Sequence, residues 1–166
     1  MRQLILMRHA KSDWAQAGLA DHDRPLNKRG RKASVRMGKH LSSEKLGTDV
    51  ILASTALRVQ ETLELMLPHW DSQAEVLSEA DLYLADASRV GRHIQALHDS
   101  WPRAMVVGHN PGLSAFLSFA SSNHMEMPTA AVAVLTSPID SWLGAAAAGV
   151  WELRALWLPR ELDAEV

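Results

Sequence analysis

The sequence predicts an α/β fold, a three-layer α/β/α sandwich around a mainly parallel sheet with one antiparallel strand. Short apolar runs alternate with longer segments whose apolar residues recur at helical spacing. The clearest runs are Leu4–Met7, Val50–Ala53 and Ala104–Val107, each too short for a stable helix. Such runs are typical of parallel strands covered by helices on both faces. In sheets of this kind, ligands bind beyond the carboxyl ends of the strands.

The first run begins almost at the start of the chain and passes directly into Arg8 and His9. A polar loop follows, in which Pro25 cannot continue a strand ladder. Asn27 can cap a helix. The apolar residues that follow recur at helical spacing, so we predict an amphipathic helix from Asn27 to about Ser43.

The second run, Val50–Ala53, leads into a helix that we predict from Ser54 to about Leu67, where Pro68 closes it. A weaker strand is predicted at Ala74–Leu77. The segment Ser78–Ala85 is predicted as a loop, and Ser88 as the cap of a helix that ends near His98.

The third run, Ala104–Val107, is followed by a tight loop at Gly108–Gly112, since Gly and Asn accept unusual backbone angles. A helix is predicted at Leu113–Ala120 and another strand at Ala130–Leu135. Apolar and polar residues alternate over Val150–Trp157, which predicts a final antiparallel strand with one covered face.

Composition predicts one ordinary domain over residues 1–166, with a polar tail from 159 to 166 that is free to move. The chain has no cysteine, and its net charge of −2 gives no reason to expect nucleic acid or a membrane as a partner. No stretch approaches a membrane span, and Arg8 and His9 interrupt any signal peptide. The expected location is the cytoplasm.

Three strand ends carry the same kind of side chain. The first provides Arg8 and His9, the second places Arg58 in the first turn of a helix, and the third provides His109. If the strands are parallel neighbours, two arginines and two histidines converge at one edge of the sheet. A tetrahedral oxyanion such as phosphate suits these donors, because planar guanidinium groups match its oxygens.

The same segments resemble the signatures of a known family. Leu6–Ala10, Ser54–Thr62 and Val106–Asn110 look like the three motifs of the histidine phosphatase superfamily, which includes phosphoglycerate mutases. Within it, Arg8–Trp14 and Asp23–Gly30 resemble the short SixA-type phosphohistidine phosphatases. The resemblance extends from about Leu4 to Ala120 and implies a phosphoglycerate mutase-like fold.

The resemblance implies a metal-independent phosphatase without a cofactor, in which His9 is the nucleophile and becomes phosphorylated. Arg8 and Arg58 hold the phosphoryl oxygens, and His109 donates to the phosphoryl group. The chemistry is consistent, because a neutral imidazole is a competent nucleophile and a covalent intermediate divides one displacement into two. Positive donors around the transferred group provide most of what phosphoryl transfer requires.

Ala10 replaces the usual family glycine, which matters only if that position needs positive φ. Glu79 or Asp81 is the candidate general acid, although both could instead be solvated loop carboxylates. Ser12 is a further candidate phosphate ligand.

Two further residues have roles that the sequence suggests. Arg24 is expected in a structural salt bridge. Trp14 follows the nucleophile closely and could line the mouth of the site.

The favoured substrate is phosphohistidine on a protein, because phosphorylated imidazole leaves without strong acid catalysis and no insertion is long enough to form a lid. The alternatives are a phosphatase of small phosphate esters, and a non-catalytic phosphate-recognition module. Inorganic phosphate is the expected product. An intact His9 argues against the binding module, since pure binding needs no nucleophile.

Overall fold

Six strands form one sheet in the computed structural model, which describes residues 1–162. The strands are β1 (Arg2–Arg8), β2 (Val50–Ser54), β3 (Glu75–Glu79), β4 (Arg103–Gly108), β5 (Val132–Ser137) and β6 (Glu152–Trp157).

The strands lie in the order β3-β2-β4-β1-β5-β6. β1 and β2 both pair in parallel with β4, so the ends of these three strands meet at one edge of the sheet. Arg8 pairs in register with Gly108, and Ala53 with Val107. This register brings the residues that follow each strand close together, as the sequence predicted.

The final strand was predicted to be antiparallel, and β6 does pair antiparallel with its neighbour β5. The strand whose direction opposes the others is β5, which also pairs antiparallel with β1. β6 pairs antiparallel with β5 and therefore runs in the same direction as β1. Alternation along Val150–Trp157 indicates a half-covered edge strand, but it carries no information about direction.

The helices are α1 (Lys28–Ser43), α2 (Leu57–Met66), α3 (Ala87–Gln95), α4 (Gly112–Ser121) and a single turn, α5 (Pro159–Leu162). The Asn27 cap is confirmed, since its side chain accepts a hydrogen bond from the Gly30 N–H. α2 begins three residues later than predicted, because Ser54 continues the ladder with β3. The predicted Ser88 cap is wrong, because Asp86 caps α3 and accepts from the Arg89 N–H.

Alternate residues of β1 belong to two separate hydrophobic cores. Leu4 and Leu6 pack on the side of α3 and α4, while Ile5 and Met7 pack on the side of α1 and α2. All four side chains are fully buried. The three-layer prediction is therefore confirmed, and β1 is held rigidly from both faces.

Part of the predicted tail, residues 159–162, forms α5, which contacts α1. The remainder, residues 163–166, lies outside the described residues. Across residues 1–162, none of the helices has both the length and the apolar character needed to cross a membrane. The single-domain organisation remains a prediction.

Candidate active site

Arg8 ends β1, and His9 follows it at the edge of the sheet. The His9 N–H donates to the Gly108 carbonyl at 3.1 Å, which extends the β1–β4 ladder by one residue. The His9 side chain is buried, with 6% of its surface exposed. A rigid strand therefore fixes the position of this imidazole.

The hydrogen bonds of His9 determine which ring nitrogen is free to react. His9 Nδ1 lies 2.7 Å from the Ala10 carbonyl oxygen, which can only accept, so Nδ1 carries the proton. The lone pair therefore remains on Nε2, to which Arg58 Nε donates at 3.3 Å. Burial lowers the pKa of His9 to about 4; the Ala10 hydrogen bond opposes this, and the nearby arginines add to it. The ring is uncharged near neutral pH, as a nucleophile must be.

Arg58 bridges the two histidines from the first turn of α2. Its Nη2 lies 3.4 Å from His109 Nδ1, and the ring centroids of His9 and His109 are 5.3 Å apart. Because a guanidinium only donates, His109 Nδ1 accepts this bond and Nε2 carries the proton. Ser54 Oγ lies 2.7 Å from Nε2. Burial, followed by His9 and Arg58, lowers the pKa of His109 to about 3.

Arg8 leaves part of its hydrogen-bonding capacity unused. Its Nη1 donates to the Met127 carbonyl at 3.3 Å, whereas its Nε is buried without an acceptor among residues 1–162. Burial, followed by the charge of Arg58, lowers the pKa of Arg8. A buried donor without an acceptor is costly, so a bound oxyanion would relieve this arrangement.

Asp21 anchors the outer side of Arg58. Its carbonyl oxygen accepts from Arg58 Nη1 at 2.8 Å and its carboxylate from Nη2 at 3.1 Å, while Arg24 Nε donates to the same carboxylate at 3.0 Å. The Tyr83 hydroxyl also donates to Asp21. The Tyr83 bond, followed by the arginines, holds the pKa of Asp21 at about 2 despite some burial, so this carboxylate orients Arg58 and is not a proton donor.

The sequence predicted an ion pair for Arg24, but it did not predict the contacts of Asp21 with Arg58 and Tyr83. No spacing rule connects Asp21 with Tyr83, which lies 62 residues away.

The side chains surround an open cleft of about 230 Å³. Trp14 lies at its mouth, 75% exposed, with the Arg24 guanidinium carbon 3.3 Å from the ring centroid. Arg24 thus forms its expected ion pair and also lines the cleft. Ser12 is buried and lines the cleft as well. The lining residues are Arg8, His9, Lys11, Ser12, Trp14, Arg24, Arg58, Leu84, His109, Asn110 and Thr129.

Neither candidate acid lines this cleft. Asp81 lies 2.8 Å from His93 Nε2 and 3.6 Å from Arg89. The hydrogen bond with His93 is the main cause that lowers the pKa of Asp81, which makes it a poor proton donor. Glu79 ends β3, in register with Ser54.

Ala10 fits its position without strain. The residues with positive φ in the described chain do not include Ala10. Its side chain is fully buried, and its N–H donates to Thr62 Oγ1 at 3.0 Å. The methyl group therefore replaces the family glycine without requiring a left-handed backbone. Over residues 1–162, no group of three or more His, Cys, Asp and Glu side chains could hold a metal ion.

Comparison with known proteins identifies the class to which this fold and cleft belong. The histidine phosphatase superfamily, branch 1, matches residues 4–106 of the chain. The chain therefore belongs to this superfamily. An uncharacterised chloroplastic protein of Arabidopsis thaliana is 31% identical over 174 residues, which cover 95% of this chain and 78% of that protein.

Solved structures place the chain with the SixA-type proteins. A Nakamurella multipartitia protein assigned as phosphohistidine phosphatase SixA has a TM-score of 0.82 and 28% identity, covering 95% of this chain and 96% of that one. The protein histidine phosphatase SixA complexed with tungstate also has a TM-score of 0.82, at 22% identity, covering 96% and 99% of the two chains. The predicted family and the phosphoglycerate mutase-like fold are confirmed.

A second group of relatives carries a different substrate name. The mitochondrial serine/threonine-protein phosphatase Pgam5 of Drosophila simulans is 36% identical over 145 residues, which cover 70% of this chain. The match spans about half of the length of Pgam5, 50%.

Proposed function

We propose that this chain is a metal-independent phosphatase that forms a phosphohistidine on His9 and acts on phosphohistidine in proteins. The observation that carries the proposal is the uncharged His9 ring, whose unprotonated Nε2 lies beside Arg58 in an open cleft. Arg8, Arg58 and His109 are the groups that would hold the phosphoryl oxygens. Two guanidinium groups provide the positive charge that phosphoryl transfer needs.

In the first step, His9 Nε2 attacks phosphorus and the bond between phosphorus and the substrate nitrogen breaks. The other nitrogen of the substrate ring is already protonated, so the substrate leaves as neutral imidazole. The electron pair of the broken bond stays on the leaving nitrogen. His9 becomes phosphorylated on Nε2 and keeps its proton on Nδ1, held by the Ala10 carbonyl.

In the second step, water attacks phosphorus and the bond to His9 Nε2 breaks. Because Nδ1 is protonated, His9 also leaves as neutral imidazole. Both water protons remain on the product, which departs as dihydrogen phosphate. The cycle therefore closes without a general base, and Ala10 activates the intermediate by keeping the proton on Nδ1.

The cleft is lined by no carboxyl group of residues 1–162, which favours phosphohistidine over phosphate esters. An ester oxygen leaves as an alkoxide unless an acid protonates it. In the described part of the chain no Asp or Glu lines the cleft, and the adjacent Asp21 is ionised. An imidazole leaving group avoids this requirement.

The test uses a peptide phosphorylated on histidine with radioactive phosphate. We expect a labelled protein that is stable to alkali and labile to acid, together with release of inorganic phosphate. The change of His9→Gln should abolish the labelled intermediate and reduce kcat by at least about 10³-fold, since the nucleophile is lost. Unchanged turnover in His9→Gln would refute the mechanism.

A phosphatase of phosphate esters is the second candidate, favoured by the likeness to the serine/threonine-protein phosphatase Pgam5. The same assay with a phosphoserine peptide and an aryl phosphate separates the two substrates. Faster turnover of the esters would support this second candidate. Phosphate binding without any phosphoenzyme would support a recognition module.

Two further expectations belong with this proposal. The tungstate bound by a SixA protein of the same fold is tetrahedral, as phosphate is, so inorganic phosphate is the proposed product ligand. The cytoplasm remains the proposed location, although the Arabidopsis relative is chloroplastic.

A further inference from the structure

A second cleft, which we call the basic groove, lies beside the catalytic cleft. It has a volume of about 330 Å³ and runs between α1 and the start of α5. Its cationic lining residues are Lys11, Arg29, Lys32, Arg36 and Arg160, and no acidic residue among residues 1–162 lines it. The whole chain has a net charge of −2, so this local excess of positive charge opposes the overall balance.

Most of this positive charge is not neutralised within the described chain. Within residues 1–162, no carboxylate forms an ion pair with Lys11, Arg29, Lys32 or Arg160. These four residues are exposed. Like charges held together repel one another, which an anionic partner would relieve.

The groove is continuous with the catalytic cleft, because Lys11 and Thr129 line both. The backbone at Lys11, where the two clefts meet, is held firmly by α1. The Asn27 N–H donates to the Lys11 carbonyl at 2.9 Å, and a side chain at Gly30 would meet that carbonyl oxygen at 2.1 Å. α1 thus packs directly against the backbone that follows the nucleophile.

We propose that the basic groove binds an acidic segment of the phosphoprotein substrate, next to its phosphorylated residue. This inference rests on the proposed function and names the kind of protein that the site accepts. An extended peptide advances about 3.3 Å per residue, so residues adjacent to the phosphorylated one can reach Lys11. Aspartate and glutamate side chains there pair with Arg29, Lys32 and Arg160.

The experiment compares two peptides with the same phosphohistidine, one flanked by glutamates and one by glutamines. For the wild-type chain we expect a higher kcat/KM with the acidic peptide, through a lower KM that rises with salt. In Arg29→Glu/Lys32→Glu, the ratio of kcat/KM for the acidic over the neutral peptide should fall by about 10-fold or more. Glutamate near the start of α1 suits the helix dipole, so the variant should fold.

The matched control is Lys28→Glu/Lys39→Glu, which changes the charge equally on the same helix. Both of these lysines are exposed and neither lines the groove. The control should keep the wild-type ratio of kcat/KM for the acidic peptide over the neutral peptide. An equal loss in control and groove variants would overturn the proposal, because net charge alone would then explain the preference.

A binding measurement separates this inference from the proposed function. The probe is a fluorescent glutamate-rich peptide without phosphate, followed by anisotropy in the wild type and both double variants. Weakening by about 10-fold in the groove variant alone supports the groove, even if phosphohistidine hydrolysis is absent. Equal binding by all three proteins, or tighter wild-type binding to a single-stranded oligonucleotide of equal charge, overturns it.

Discussion

At the scale of single residues, the hydrogen bond between His109 and Ser54 can run in either direction. His109 Nδ1 accepts from Arg58, so Nε2 donates to Ser54 Oγ. A phosphoryl oxygen needs a donor instead, so the proton must then be on Nδ1. A hydroxyl both donates and accepts, which lets Ser54 give its own hydrogen to Nε2 when the tautomer changes.

This arrangement predicts that Ser54→Ala weakens catalysis without removing any group that touches phosphate. The substitution removes the partner of His109 Nε2, so the tautomer that donates from Nδ1 loses its support. We expect kcat to fall by about 10-fold, equivalent to one lost hydrogen bond of about 1.4 kcal/mol. Steady-state kinetics measures the fall, and the ¹⁵N shifts of the His109 ring report the tautomer.

Ser78→Ala is the control for this substitution. Ser78 lies on the neighbouring strand β3, and its hydroxyl accepts from Gln60 outside the cleft. This variant should keep the wild-type kcat. If Ser54→Ala kept it as well, with unchanged ring shifts in the phosphate complex, the positioning role would be wrong.

At the scale of elements, one side chain connects α2 to the backbone that follows β1. Thr62 is fully buried; its hydroxyl accepts from the Ala10 N–H at 3.0 Å and donates to the Arg58 carbonyl at 2.6 Å. Ala10 in turn holds His9 through its carbonyl. The helix that provides Arg58 therefore also fixes the position of His9.

Thr62→Val keeps the shape of the side chain but removes both hydrogen bonds. The buried Ala10 N–H would lack a partner, and we expect the free energy of unfolding to fall by about 1–3 kcal/mol. Because His9 loses its alignment with Arg58, kcat should fall more than KM rises. Urea unfolding and steady-state kinetics measure the two effects.

Thr62→Ser provides the comparison, because it keeps the hydroxyl and removes only a methyl group. It should lose about 0.8 kcal/mol for one buried methyl group and keep most of its kcat. Equal kcat in the Val and Ser variants would show that the connection does not position His9.

The sequence predicted the elements well where the physical signal is local. The buried runs that form β1, β2 and β4 are apolar on both faces, and their parallel pairing brings Arg8, Arg58 and His109 to one edge. The direction of β5 was missed, because pairing partners depend on the whole sheet. The start of α2 was also missed, because Ser54 remains in the ladder with Glu79.

At the scale of the whole molecule, contacts between distant parts of the chain were the hardest to predict. Asp21 meets Arg58 from 37 residues away, and neither spacing nor periodicity encodes that approach. The local pattern at the strand ends brought together the four side chains that we propose for catalysis, and the motif resemblance supplied their expected roles. The sequence could not decide between Glu79 and Asp81 as the general acid for the same reason. The contacts of Asp81 with α3 depend on tertiary packing.

Folding as a whole also determines how stability depends on pH. The folded chain lowers the pKa of His9 to about 4 and of His109 to about 3, mainly through burial. The ordinary histidine pKa is about 6.5. Below that pH the unfolded chain binds protons that the folded chain does not. The free energy of unfolding should therefore fall as the pH decreases from 7 towards 4, and be insensitive to these groups above pH 7.

Each histidine should remove about 2 kcal/mol of stability between pH 7 and pH 5. Urea unfolding at the two pH values measures the change in the wild type and in His9→Gln. Glutamine does not titrate, so the variant should lose about 2 kcal/mol less than the wild type over this interval, whatever its stability at pH 7. At pH 5 and above most carboxylates stay ionised, so the change in the free energy of unfolding comes mainly from histidines. An equal loss in both proteins would mean that His9 protonates as readily in the folded chain as in the unfolded one, and that the uncharged nucleophile is not a product of the fold.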